Sequence, residues 1–184
     1  MSVAVSNFSS ILKQMRDSYT GESPKEFSLA EHIGLQASSL SDAPADLQKV
    51  TKEHEQDLTN FHIQQETGLL NNVQSLEKDK NHSSFMDKMN KNRENAKKQA
   101  TEMIDKYYNK LEDIGVKHPE QQELILVLAD KVGAFMKAIM TKIMDVFVSV
   151  IATVSKAIRQ AIDFIASSFK TFANTAKNFF AGLF

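Results

Sequence analysis

The chain has 184 residues, 42% hydrophobic and 24% charged, a composition typical of one globular domain or two small ones. It contains no cysteine, which excludes disulfides, thiolate metal sites and cysteine nucleophiles. The formal net charge of -1 predicts no overall attraction to nucleic acid. Six glycines and three prolines supply few turns for a many-stranded fold. We therefore predict an all-α protein.

The first predicted helix has apolar residues spaced three and four apart and ends near Gly21; they are Val5, Phe8, Leu12, Met15 and Tyr19. A short second helix is predicted from Pro24, because Ser23 and Glu26 match a capping box. It would carry Phe27, Ala30 and Ile33 and stop near Gly34. The serine-rich segment QASSLSDAPAD then predicts a surface loop.

Two longer helices are predicted after this loop. The first has one apolar stripe, interrupted by His54 and Gln65, that comprises Leu47, Val50, Leu58, Phe61, Leu69, Val73 and Leu76. The polar segment KDKNHSS predicts a break after it. The second runs from about Phe85 to Ile114, with Gly115 as its predicted C-cap. Pro119 then starts a further helix.

The C-terminal third differs from the rest of the chain in composition. Of the 61 residues 124–184, 38 are Ala, Val, Ile, Leu, Met or Phe, and seven basic residues stand against three acidic ones. The remaining residues, 1–123, hold 15 basic and 20 acidic side chains. We therefore predict an acidic polar helical body over 1–118 and a basic, apolar, amphipathic tail over 119–184 that packs on the body, a membrane or a partner.

An eleven-residue repeat runs through this tail. Five columns, starting at Val132, Phe135, Met136, Ile139 and Met140, are apolar at every step of eleven except at Ser168. At about 100° per residue they cover an arc of roughly 140°. A period of about 3.67 residues per turn keeps this arc straight, which suits either a right-handed supercoil or flat contact with a membrane.

The length of the tail restricts how it is arranged. A single helix of 61 residues would span about 90 Å, whereas a compact chain of this size has a radius of gyration of about 16 Å. We predict an elongated helical bundle whose tail is one long amphipathic helix or a helical hairpin. Thr153 to Ser155 and Ser167-Ser168 are the candidate break points.

The candidate functional residues follow from the repeat. The predicted membrane and oligomer stripe comprises Val132, Met136, Ile139, Ile143, Phe147, Val150, Ile151, Val154, Ile158, Ile162, Ile165, Phe169, Phe172, Phe180, Leu183 and Phe184. The column of Phe147 and Ile158 is predicted to be the driest, that is, the most completely buried away from water. The predicted contacts with lipid phosphates are Lys137, Lys142, Lys156, Arg159, Lys170 and Lys177.

These features predict a membrane-associating, oligomerising helical protein that permeabilises or remodels bilayers, preferably anionic ones, through its tail. In pattern alone it resembles helical pore-forming proteins and exchangeable lipid-binding bundles. The alternative is a non-enzymatic scaffold that self-assembles or binds another helical protein through the stripe. No secretory signal is predicted, so we expect a cytoplasmic form that becomes membrane-associated, or export by another route.

Enzymatic and nucleic-acid functions have little support in the sequence. It lacks a nucleophile elbow and a phosphate-binding loop, so we expect no catalysis, no cofactor and no small-molecule substrate. Glu55, His62 and Glu66 share a helical face and form a weak candidate metal site, although a solvated polar face is the more frequent meaning of such a pattern. The basic run from Lys88 to Lys98 is interleaved with acids and lacks aromatic residues, which argues against nucleic acid.

Overall fold

The computed structural model describes residues 5–33 and 40–184, and all regular structure within these ranges is helical. The five α-helices are α1 (Phe8–Thr20), α2 (Ala45–Asp79), α3 (His82–Lys117), α4 (Gln122–Val154) and α5 (Ile158–Ala181). Short 3₁₀ turns occupy Leu29–Glu31, Leu40–Asp42 and Pro119–Gln121. The prediction of an all-α fold is confirmed.

The helices pack into two compact units. The first unit comprises the described part of residues 1–54 together with Thr101–Ala138 and Phe180–Phe184. The second unit comprises Glu55–Ala100 and Ile139–Phe179. Each of the four long helices contributes residues to both units, because each is divided by a unit boundary.

Helices α2 and α3 run antiparallel. In the second unit, the Gln65 amide donates to Gln99 Oε1 (3.0 Å) and the Lys88 ammonium donates to Ser75 Oγ (3.2 Å). The predicted break between the two helices is confirmed. There Lys80 takes a left-handed backbone with φ of 55°, and Asn81 Oδ1 accepts the Ser84 amide (3.0 Å), which caps the start of α3.

The amino-terminal region follows the predictions only in part. Helix α1 ends at Thr20 and is capped by Gly21, which has a φ of 80°, so the predicted end near Gly21 is confirmed. The predicted helix from Pro24 to Ile33 is wrong, because only Leu29–Glu31 form a 3₁₀ turn. A tertiary contact replaces the helical bonds, since the Phe27 amide donates to Ser18 Oγ of α1 (3.2 Å). Its predicted end at Gly34, and residues 36–39 of the predicted loop, lie outside the described residues.

Gly115 does not cap α3, which continues to Lys117. The glycine is needed for close packing instead, because a side chain on it would overlap the Phe8 ring and approach Ile125. The local sequence favoured an end of α3 at Gly115. The close contacts of Gly115 with α1 and α4 explain why a glycine stands at this position inside the helix.

The tail breaks at the first of its two candidate points. Helix α4 ends at Val154 and α5 begins at Ile158, whereas Ser167 and Ser168 lie inside α5. At the first point, Thr153 belongs to the run VIATV, which is rich in β-branched residues, and its Oγ1 donates to the Ser149 carbonyl (2.7 Å). Such residues lower helix propensity, and Ser155 Oγ competes for the Ala152 carbonyl (3.2 Å). The serines inside α5 are flanked by alanine and phenylalanine, which do not add a second β-branched run.

Helices α4 and α5 form an antiparallel hairpin. In the first unit the Phe180 ring packs edge-on against Phe135, with ring centroids 5.9 Å apart. The turn at residues 155–157 lies midway between these two positions in the sequence. The hairpin alternative for the tail is therefore the arrangement observed.

Candidate functional site

The structure buries the repeat in a graded way. All five residues of the column starting at Val132 are buried, as are all five of the column starting at Ile139. The flanking columns that start at Phe135 and Met140 are mostly half-buried. The centre of the apolar arc therefore faces the protein core and its edges approach the surface.

Most of the predicted stripe is buried, with four departures. Ile151, Ile158 and Ile162 are half-buried, and Phe184 is 39% exposed. The prediction that the column of Phe147 and Ile158 is the driest is wrong, because Ile158 adjoins the turn between α4 and α5. The columns of Val132 and Ile139 are more completely buried, since every member of both is buried.

All six predicted phosphate-contacting residues are exposed: Lys137, Lys142, Lys156, Arg159, Lys170 and Lys177. They occupy the positions between the apolar columns. The exposed face of α4 and α5 thus carries more basic than acidic side chains, since Asp145 and Asp163 are the exposed acids there, while the opposite face is buried. Among the described residues, no helix is both long enough and apolar enough to cross a membrane.

Hydrogen bonds anchor the amino-terminal half of α4 in the first unit. The Tyr108 hydroxyl donates to the Ala129 carbonyl (2.8 Å), and the Tyr19 hydroxyl donates to Asp130 Oδ1 (2.5 Å). Burial raises the pKa of both phenols, and the Asp130 carboxylate raises the pKa of Tyr19 further. Both tyrosines contact Gly133, where any side chain would overlap them. The amino-terminal half of α4 is therefore held by close contacts with Tyr19 and Tyr108 that only a glycine at position 133 allows.

Gln122 provides a second anchor at the start of α4. Its Oε1 accepts the backbone amide of Val5 (2.8 Å), and its side-chain amide donates to the Gly115 carbonyl (2.9 Å). The side chain is buried, and its bond to the Gly115 carbonyl is formed away from water, whereas its bond to Val5 is partly buried. One residue thereby joins the segment before α1, the end of α3 and the beginning of α4.

His54 lies beneath the end of the tail in the first unit. Its imidazole is 2% exposed and stacks on the Tyr107 ring at a centroid distance of 4.4 Å. Phe180 meets the same imidazole at 6.2 Å. The Tyr107 hydroxyl in turn pairs with Thr51 Oγ1 (3.0 Å). The histidine that interrupts the α2 stripe is therefore part of an aromatic cluster.

His62 lies beneath the aromatic face of α5 in the second unit. It is 4% exposed, and its ring centroid is 6.4 Å from that of Phe169 and 6.3 Å from that of Phe172. Its Nε2 atom is buried and has no hydrogen-bond partner among the residues that the structure describes. Burial lowers the pKa of His62 to about 4, because the charged imidazolium loses its hydration there.

A groove of about 400 Å³ opens beside His62 between α2 and α5. Its lining residues are Glu55, Thr59, His62, Ile63, Glu66, Phe169, Ala173, Ala176 and Lys177. The groove therefore combines an apolar wall from α5 with a charged margin. Ionisable side chains of α2 therefore line the same groove as apolar side chains of α5.

The candidate metal site does not assemble. Glu55 and Glu66 are eleven residues apart on one helix, a rise of about 16 Å, so they cannot ligate one ion together. Within residues 5–33 and 40–184, no three His, Asp or Glu side chains come together as a metal site would require.

Two features of this region escaped the sequence interpretation. It noted that His54 falls on the apolar stripe of α2, but it did not predict that His54 and His62 both meet phenylalanines of α5. The sequence did contain a signal for this, because the two histidines are eight residues apart on one helix, about two turns.

Comparison with protein-family models, curated proteins and solved structures finds no match.

Proposed function

We propose that this protein binds anionic bilayers through the α4–α5 hairpin, which leaves the protein core, assembles into oligomers and permeabilises or remodels the membrane. One observation carries the proposal: the hairpin presents a basic face to solvent and conceals a continuous apolar stripe behind it. An amphipathic helix of this composition binds the interface by burying its apolar face among acyl chains.

The free energy of burial favours a hairpin whose apolar stripe is covered in water and uncovered at a lipid surface. Fully exposing a buried Leu, Ile or Phe costs about 2 kcal/mol, so a stripe of this length cannot remain uncovered in water. A bilayer offers an apolar environment that offsets this cost. Each basic side chain near an anionic surface adds about 1 kcal/mol of attraction, which directs the exposed face of the hairpin toward the lipid headgroups.

The test uses flotation and dye release with vesicles of phosphatidylcholine alone or with phosphatidylserine, at neutral and acidic pH. The test variant replaces Lys142, Lys156 and Lys170 with Gln. Loss of three charges should weaken partitioning to anionic vesicles about a hundredfold and abolish dye release. Added salt should weaken the binding of the wild-type protein in the same direction.

The matched control replaces Lys78, Lys80 and Lys91 with Gln. These three residues are exposed and lie on α2, on the connection between α2 and α3, and on α3. It changes the net charge equally and should keep most of the binding. Equal losses in the two variants would reject the hairpin as the lipid-binding face. Flotation without leakage would restrict the function to peripheral binding. Oligomers in buffer, with no binding to any vesicle, would favour the scaffold alternative.

A further inference from the structure

We propose that His62 is an acid-operated latch, whose protonation releases α5 from α2 and uncovers the stripe. The contact of His62 with Phe169 and Phe172 carries the inference, together with the turn at residues 155–157 that separates α5 from α4. The delivery of the released stripe to a lipid surface rests on the proposed function. The release itself does not.

The latch depends on where His62 lies. A neutral imidazole packs as an aromatic ring against Phe169 and Phe172, and its buried Nε2 makes no hydrogen bond to any residue within 5–33 and 40–184. An imidazolium in the same place carries a charge that the two phenyl rings cannot hydrate. Protonation therefore favours any conformation that admits water between α2 and α5.

The charged groups that share the groove do not prevent this effect. Glu55 and Glu66 line it from α2, and Lys177 lines it from α5. The glutamates are about 10 Å and 6 Å from His62 along the helix axis and attract a proton to it, whereas Lys177 repels one. Loss of hydration outweighs these charges, since burial is the dominant cause of the low pKa of His62.

Anionic lipid would operate the latch as well as attract the hairpin. A surface potential of about -30 to -50 mV lowers the local pH by roughly half a unit to nearly one unit. The same membrane that attracts the basic face would therefore help to protonate His62. Acidic solution and anionic lipid should act together, and neutral lipid should leave α5 in place at neutral pH.

The test follows α5 directly in buffer without vesicles, using single cysteines in a chain that has none. Ala176→Cys places a thiol at a buried position of α5, and Ala173→Cys places one at an exposed position one turn earlier. Reaction with dithiodipyridine is measured from pH 7 to pH 4. The exposed cysteine corrects for the pH dependence of the thiol itself.

In the wild-type background, we expect Cys at 176 to react at least tenfold more slowly than Cys at 173 at pH 7 and nearly as fast at pH 4. His62→Leu and His62→Gln should keep the tenfold protection to at least one pH unit lower. His118→Gln, at an exposed histidine, should leave the profile unchanged. Collapse of protection at the same pH in all backgrounds would overturn the latch.

A second measurement remains decisive if either His62 variant fails to fold. Proton NMR of the imidazole C–H signals in the full chain gives the pH at which His62 titrates. A titration midpoint that does not coincide with the loss of cysteine protection would also overturn the latch. Acid release without vesicle binding would reject the proposed function and keep the latch. Vesicle binding and dye release that are unchanged by His62→Leu would reject the latch and keep the proposed function.

Discussion

The two compact units differ in the hydrogen bonds made by their aromatic side chains. In the first unit, Tyr19, Tyr107 and Tyr108 place their hydroxyls on hydrogen-bond partners. In the second unit, the corresponding aromatic layer contains His62, whose buried Nε2 has no such partner in the described part of the chain. A phenol stays neutral over the whole physiological range, whereas an imidazole does not. Protonation of His62 should therefore destabilise the second unit in acid, whereas the three tyrosines of the first unit contribute no such response. The first unit also holds a buried imidazole, that of His54, which stacks on Tyr107.

The largest expected effect is the pH dependence contributed by His62. Its pKa is about 4 in the folded protein and about 6.5 when unfolded, so the unfolded state binds more protons between these values. Stability is lost as the pH falls below 6.5, and the loss is complete below 4. Relative to pH 7, His62→Leu should spare about 2 to 3 kcal/mol of the unfolding free energy at pH 4.5. Urea unfolding at both values, with His118→Gln as the control, measures this difference; an equal acid loss in both variants would contradict it.

A glycine tests the close packing of the first unit. Gly133→Ala should lower the unfolding free energy by about 2 kcal/mol, because its methyl group would overlap Tyr19 and Tyr108, whose hydroxyls are already held by α4. Gly68→Ala in the second unit is the matched helical control. It meets only the end of the Asn92 side chain at 3.3 Å, so it should be neutral or mildly stabilising. Similar losses in the two variants, measured by thermal and urea unfolding, would show that Gly133 is not specially constrained.

The smallest effect concerns one hydroxyl pair in the first unit. Tyr107→Phe should cost about 1 kcal/mol, because it leaves the buried Thr51 hydroxyl without its partner. Adding Thr51→Val removes that unpaired group and should recover part of the loss. A double-mutant cycle measures the coupling, and additive losses would show that the pair contributes nothing of its own. Neither variant should alter the pH profile of α5.

Much of the hairpin was predictable because it depends on local periodicity. The columns starting at Val132 and Ile139 lie at the centre of the apolar arc, and both are buried throughout. The break at Thr153 was also visible, since β-branched residues and side-chain hydroxyls weaken a helix wherever they occur. By contrast, nothing local distinguished Gly115 as a packing glycine from Gly115 as a cap.

The sequence by itself determined the helices, the eleven-residue phase of the tail and the separation of its basic and apolar faces, because these follow from side chains a few residues apart on one helix. Only the tertiary structure decided that α5 folds back against α4 and that the segment from Pro24 to Ile33 gives up most of its helix for a bond to Ser18. It also decided that His62 lies under Phe169 and Phe172. These features join residues far apart in the chain, and their free energies depend on burial that no local pattern encodes.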